Sequence, residues 1–169
     1  MKKLNKKGFT LVELLAVITI MGILMIVAIP AVSRTIENSR RNTMASTIGN
    51  YISAVRTAVQ SDELICNSKS ISTIGNGTYY VNITEPGDWL ETGGTSPWSN
   101  GTIKGYIAIE KSTTTNNTTK YVYKAYLNDG THGLKAEKPE KEITRANIAV
   151  SGATNPAAKT GTSVCTLTT

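Results

Sequence analysis

The chain has 169 residues, 40% of them hydrophobic and 18% charged, with a formal net charge of +6, two cysteines and one histidine. That length holds one compact domain and a long helix, but not two full domains. Cys66, Cys165 and His132 are too few for a typical four-ligand zinc site, and four of the positive charges are concentrated at Lys2, Lys3, Lys6 and Lys7 rather than spread as a nucleic-acid surface. The large aliphatic residues crowd into positions 1–60, while the remainder is rich in Thr, Asn, Gly and Ser. Such segregation predicts an anchor followed by a polar, loop-rich head.

Residues 1–8 are short and basic. From Phe9 to Ile29 runs an apolar stretch of 21 residues, interrupted by Thr10, Glu13, Thr19 and Gly22. As a helix it would extend about 30 Å, enough to cross a hydrocarbon core. The preceding lysines predict a cytoplasmic N-terminus and an external remainder. Pro30 removes a backbone donor at a cost of about 3 kcal/mol in an ordinary helix interior. The helical pattern nevertheless resumes: Met44, Ile48, Ile52, Val55 and Val59 share one face, with Arg40, Arg41, Asn42, Asn50, Arg56 and Gln60 mostly off it. The spacing predicts one helix from about Phe9 to about Asp62, apolar all round and then amphipathic, its second half packed on the head.

Beyond Cys66 the pattern changes to strands and turns. Thr78–Ile83, Gly105–Lys111 and Lys120–Leu127 are rich in β-branched and tyrosine residues with partial alternation, and Arg145–Val150 is a fourth candidate strand. Asn128-Asp129-Gly130 signals a turn, and with it a hairpin. Stretches 85–102, 112–119 and 151–163 read as loops.

Candidates for chemistry are sparse. His132 stands near Asp129 inside the Gly-flanked turn NDGTHG, and no Ser or Cys lies in a nucleophile motif or phosphate-binding loop. Asp88 and Glu91 flank Trp89 without the spacing of a calcium loop. The chain is expected to be no enzyme and to hold no cofactor or metal. Trp89 and Trp98 are expected to pack in the head rather than serve as adhesive contacts. Five Asn-x-Thr sequons, at Asn76, Asn82, Asn100, Asn116 and Asn117, read as coincidence in so Asn- and Thr-rich a chain. Cys66 and Cys165 form a disulfide if the head is external, or remain two buried thiols.

Gly8-Phe9-Thr10-Leu11-Val12-Glu13-Leu14-Leu15, continuing to Gly22-Ile23-Leu24 and Pro30, closely resembles the type IV prepilin signature. The resemblance spans residues 6–32 and combines a Lys-Gly junction, a following Phe, a glutamate five residues after the Gly and a terminal proline. It implies that a prepilin peptidase cuts between Gly8 and Phe9 and methylates the new Phe9 amine. A carboxylate at mid-membrane costs on the order of 2.5–3.5 kcal/mol. Glu13 lies nearer the edge, and the resemblance implies that it pairs with the Phe9 amine of a neighbouring subunit, setting axial register because an unpaired charge is penalised in a dry core. Gly22 and Pro30 bracket a stretch that either unwinds in the filament or merely kinks. Family disulfides often place their second cysteine near the C-terminus. Cys165 fits that position, whereas Cys66 departs from it by directly following the helix.

The expected fold is therefore α+β: a long N-terminal helix packed against a small antiparallel sheet of three to five strands. Its parts are a leader (1–8), a transmembrane and polymerisation helix (9–29), an amphipathic half-helix (30–62) and a β-rich head (63–169). The expected function is that of a pilin, a structural subunit of a type IV pilus supporting adhesion, motility or aggregation. Its expected partners are copies of itself in a helical filament, the cytoplasmic membrane, a prepilin peptidase and the assembly platform. The precursor would sit in the cytoplasmic membrane and the assembled fibre on the cell surface.

A type II secretion pseudopilin is the main alternative. Pro97-Trp98 is similar to a pseudopilin tryptophan motif, but the acidic calcium ligands of that group are not apparent. A competence pilin that binds DNA is disfavoured, since a cut after Gly8 leaves 14 basic residues against 12 acidic ones, a charge of +2. Outside this class stands a membrane-anchored binding module that never polymerises. An ordinary secretory signal ending at Ala31-Val32-Ser33 would give Glu13 no purpose.

Overall fold

The computed structural model describes residues 9–84 and 86–168. Its architecture is α+β, with one long helix, α1 (Leu11–Gln60), and a seven-stranded, mostly antiparallel sheet. The chain divides into two compact units, one ending at Glu37 and the other running from Asn38 to Thr169. Each is described by itself.

In the first unit α1 is helical throughout and continues through Pro30. Every residue from Phe9 to Ile36 is exposed.

In the second unit the helix becomes amphipathic. Met44, Ile48, Ile52, Val55 and Val59 are all buried, as the spacing predicts, and Tyr51 and Ala58 widen the stripe. The sheet that receives it is built from β1 (Leu64–Cys66), β2 (Lys69–Ser70), β3 (Gly77–Ile83), β4 (Lys104–Thr113), β5 (Thr119–Asn128), β6 (Lys138–Pro139) and β7 (Val164–Leu167). Their spatial order is β2-β1-β7-β3-β4-β5-β6. The three strands legible in the sequence form the middle of the sheet. Along β3 and β5 burial alternates, with Tyr79, Val81, Ile83, Tyr123, Ala125 and Leu127 contributing to the core. Ile107 and Ile109 of β4 complete this inner layer, both fully buried.

The sheet has seven strands rather than three to five, and it is not wholly antiparallel, because β7 runs parallel to β3 through Tyr80↔Val164 and Val81↔Cys165. The added strands are two to four residues long, too short to show a period in the sequence. Arg145–Val150 is not a strand. Arg145–Asn147 forms a 3₁₀ turn, after which Ala149 makes a single bridge to Gly133. In that segment Ile148 is the one fully buried side chain, so no alternating face exists to hold a strand.

The segment leading into β7 crosses the sheet and is tied to it. The Asn82 side chain donates to the Lys159 carbonyl and accepts from the Lys159 N–H, both at 2.9 Å. The Lys159 ammonium lies 4.5 Å from the centre of the Tyr106 ring and 4.8 Å from that of Tyr80, within cation–π range. Tyr106 in turn meets Tyr80 and Tyr126 edge-to-face. Burial, aided by the nearby Glu137, pushes the Tyr106 phenol up to about 12.

A second tie runs through a buried cation. The Lys111 side chain on β4 donates to the carbonyls of Ile71, Ser72 and Ile74 at 2.9, 2.7 and 2.6 Å, holding the turn that follows β2. Burial pulls its pKa below the ordinary lysine value, opposed by the Asp62 carboxylate. Three carbonyls that lose this donor inside the protein cost about 1–3 kcal/mol each at the upper bound.

A third tie is covalent: Cys66 on β1 and Cys165 on β7 are disulfide-bonded. Lys111→Met lowers the stability of the full chain in detergent by at least about 2 kcal/mol, measured by urea unfolding. Cys66→Ser combined with Cys165→Ser removes a closure of 99 positions and lowers stability by up to about 4.7 kcal/mol in the same measurement. The loss appears without reductant, and reductant has no further effect on the variant.

Candidate assembly site

The apolar segment of the first unit exposes large side chains at consecutive positions. Ile23, Leu24, Met25, Ile26 and Val27 are each 58–75% exposed, and Phe9 is 90% exposed. Five successive positions cover every direction around a helix, so this surface is a full cylinder rather than a stripe. Soluble monomers rarely expose contiguous apolar patches beyond a few hundred Å². The segment is long and apolar enough to cross a membrane. Its polar side chains are satisfied locally: the Thr19 hydroxyl donates to the Ala16 carbonyl at 2.8 Å, and the Thr35 hydroxyl to the Ala31 carbonyl at 3.1 Å. Apolar surroundings require that self-sufficiency.

Glu13 has a local role that the sequence reading missed. Its Oε2 accepts from the Thr10 N–H at 2.8 Å and the Thr10 hydroxyl at 2.9 Å, while the Glu13 N–H donates back to Thr10 Oγ1 at 3.3 Å. This is a capping box, in which the side chains at the N-cap and third helical positions satisfy each other's backbone donors. The signal was present as Thr10-Leu11-Val12-Glu13, the Ser/Thr-x-x-Glu pattern that opens a helix. In the single chain the carboxylate therefore rests on its own helix start, where the helix dipole also favours it.

The other expected positions are less constrained. Gly8 and the rest of the 1–8 leader lie outside the described residues. A Cβ added at Gly22 would meet nothing within 4 Å, so no contact within the chain demands glycine there. Pro30 lies inside α1 without ending it. In this conformation Gly22 and Pro30 mark no unwound segment.

In the second unit Cys66 and Cys165 are disulfide-bonded, joining β1 to β7 at directly opposed positions. Both are buried. The bond closes the tail back onto the strand that follows the helix.

His132 belongs to a small polar clasp. The Ser96 hydroxyl donates to Asp129 Oδ2 at 2.5 Å, and the same oxygen lies 3.2 Å from His132 Nδ1. Asp129 Oδ1 accepts from the N–H groups of Thr131 and His132 at 2.8 and 2.6 Å. The imidazole stacks on Trp98 with ring centres 4.6 Å apart. Gly133 closes the turn with φ of +125°, and a Cβ there would sit 2.6 Å from that of Asn128, so only glycine fits. The serine gives its proton to the carboxylate, unlike a Ser–His–Asp relay, in which the imidazole receives it. The arrangement fastens the loop at Ser96–Trp98 to the turn at 129–133. Trp89 and Trp98 are half-buried and pack against the core. Among the described residues no cluster of three or more His, Cys, Asp or Glu side chains is placed to hold a metal.

Burial alone would push the Asp129 carboxyl up, but the donors from Ser96, His132 and Thr131 outweigh it and hold the group below its ordinary value of 3.8. A depressed carboxylate adds stability that is present above its unfolded value and lost as pH falls through the folded one. Asp129→Asn therefore lowers stability at pH 7 by about 1–3 kcal/mol and shrinks the further loss on acidification below about pH 4. Urea unfolding at pH 7 and pH 3 measures both effects.

Residues 3–29 match the family model for the prokaryotic N-terminal methylation motif, the type IV pilin-like signature. The match contains Gly8, Phe9, Glu13 and Gly22 and ends beside Pro30. No solved structure matches the chain.

Proposed function

We propose that this chain is a structural subunit of a type IV pilus, made as a membrane-anchored precursor, cut between Gly8 and Phe9, N-methylated on Phe9 and polymerised through its helix. The observation that carries this reading is the coincidence of two features. The methylation motif at 3–29 overlaps, from Leu11 onward, a helix whose large apolar side chains are exposed in every direction as far as Ile29. A lipid bilayer and a bundle of like helices are equivalent surroundings for such a cylinder, so a subunit can pass from one to the other with little change in solvation. The heads would remain outside, where the disulfide is stable. Adhesion, motility or aggregation would then be the work of the assembled fibre.

Glu13 takes two partners in sequence under this reading. Before assembly it caps its own helix through Thr10. After cleavage the new Phe9 amine supplies a positive charge, and Glu13 of an adjoining subunit pairs with it as water is excluded. A buried carboxylate left without its cation is costly, roughly 3–5 kcal/mol when one partner of a buried pair is removed.

Three measurements test the reading. Sequencing of the mature chain gives methylated Phe9 as the first residue; Arg34 or Met1 would overturn it. Antibody to this chain labels fibres in sheared surface material by electron microscopy, and unlabelled fibres or none would also overturn it. Glu13→Ala and Glu13→Gln both leave leader cleavage intact and reduce fibre yield more than about tenfold. Glutamine can preserve the capping box but not the charge, so normal fibres from Glu13→Gln with none from Glu13→Ala would assign Glu13 to capping alone.

A further inference from the structure

The sheet has an acid-rimmed cleft beside β1 and β7 and exposed cations on either side of β6, while the outermost strand β2 carries the exposed Lys69. The strand order places β1 and β7 toward one edge and β6 at the other. Beside β1 and β7 is a cleft of about 310 Å³ whose floor is formed by Ala54, Ala58, Trp89 and Leu167, with Glu63 and Asp88 on its rim. Both carboxylates are exposed. Neither is bridged to a cation among the described residues.

The β6 edge carries the complement. Its acidic side chains are engaged within the head: Glu140 bridges Arg56 at 2.5 Å, Glu142 bridges Lys138 at 3.1 Å, and Glu137 reaches the Tyr106 phenol. Lys135 and Arg145 have no such bridge among the described residues, and both are exposed. The 3₁₀ turn Arg145–Asn147 brings Arg145 and Ala146 to the surface together, with Ala136 exposed beside Lys135 in the chain. Lys135, Ala136 and Ala146 line one surface depression, and Arg145 precedes Ala146 in the chain, so small apolar residues with two nearby cations face outward and suit an apolar floor rimmed by two carboxylates.

We propose that the cleft of Glu63, Asp88, Trp89 and Leu167 docks the Lys135–Arg145 corner of a second copy of this chain. The contact is heterologous: each copy uses its cleft on one neighbour and keeps its corner for another. Contacts of that kind propagate into open helical arrays when the rotation between copies does not close a ring. The corner's charge supplies orientation, since like-charge juxtapositions are rejected and opposite ones steer the encounter. Glu63 also anchors the end of the tail, its carbonyl accepting from the N–H and hydroxyl of Thr168 at 2.8 and 3.0 Å, so the cleft rim is held in place before docking.

This inference rests on the filament reading, and a charge-swap experiment separates the two. The full chain is expressed with its processing and assembly machinery, and sheared fibres are quantified. Glu63→Lys with Asp88→Lys, and separately Lys135→Glu with Arg145→Glu, each cut fibre yield more than about tenfold, while the four changes together restore it to within about threefold. Undiminished fibres from either pair of changes, or no recovery in the combined variant, overturn the docking contact. Normal fibre yield from the Glu63/Asp88 variant with lost surface attachment assigns the cleft to a different partner and equally overturns it. Absence of fibres from the unaltered chain overturns the filament reading together with the docking.

Discussion

From Phe9 to Ile36 large aliphatic side chains follow one another so closely that no rotation of the helix can hide them behind a single partner. An amphipathic helix needs one neighbour, and the second half of α1 has one in the sheet. A helix apolar on every side needs either lipid or several neighbours at once. The methylation motif at 3–29 overlaps that segment from Phe9 to Ile29, and the exposure of its side chains in the single chain is the physical demand that polymerisation would meet. Burying them returns about 25 cal/mol per Å² of apolar surface, but burial from water is non-directional and cannot choose a register. A charge can, and under the proposed reading Glu13 would be that charge.

The head meets the opposite problem. Its sheet is assembled from three substantial strands and four very short ones, and short strands contribute little ordering of their own. Long-range ties supply the difference. The Cys66–Cys165 bond spans 99 positions, the Asn82–Lys159 pair spans 77, and the Lys111 ammonium gathers three carbonyls from a turn about 40 positions earlier. Each draws a distant segment onto the central strands at little cost beyond loop closure, which grows only slowly with length.

Part of the charge in the head is paired internally. Arg56 serves Glu140, Lys138 serves Glu142 and Lys124 serves Glu110. Glu63 and Asp88, at the cleft beside β1 and β7, and Lys135 and Arg145, on either side of β6, are exposed and have no such bridge among the described residues. Exposed pairs within a head contribute little to stability, so the distribution bears on recognition between molecules more than on folding.

The sequence by itself determined the helix, its change from apolar cylinder to amphipathic stripe after Pro30, and the three long strands, because each rests on a local period that a short window displays. The buried face of α1 was legible residue by residue from Met44 to Val59. The capping box at Thr10 and Glu13 is equally visible as the four-residue pattern Thr10-Leu11-Val12-Glu13. The short strands, the parallel pairing of β7 with β3, the 3₁₀ turn in place of the expected strand at 145–150, the burial of Lys111 and the acid-rimmed cleft beside β1 and β7 emerge only in the folded chain. Each of these depends on contacts between residues tens of positions apart, and a local period carries no information about which distant carbonyl, ring or carboxylate a side chain will meet.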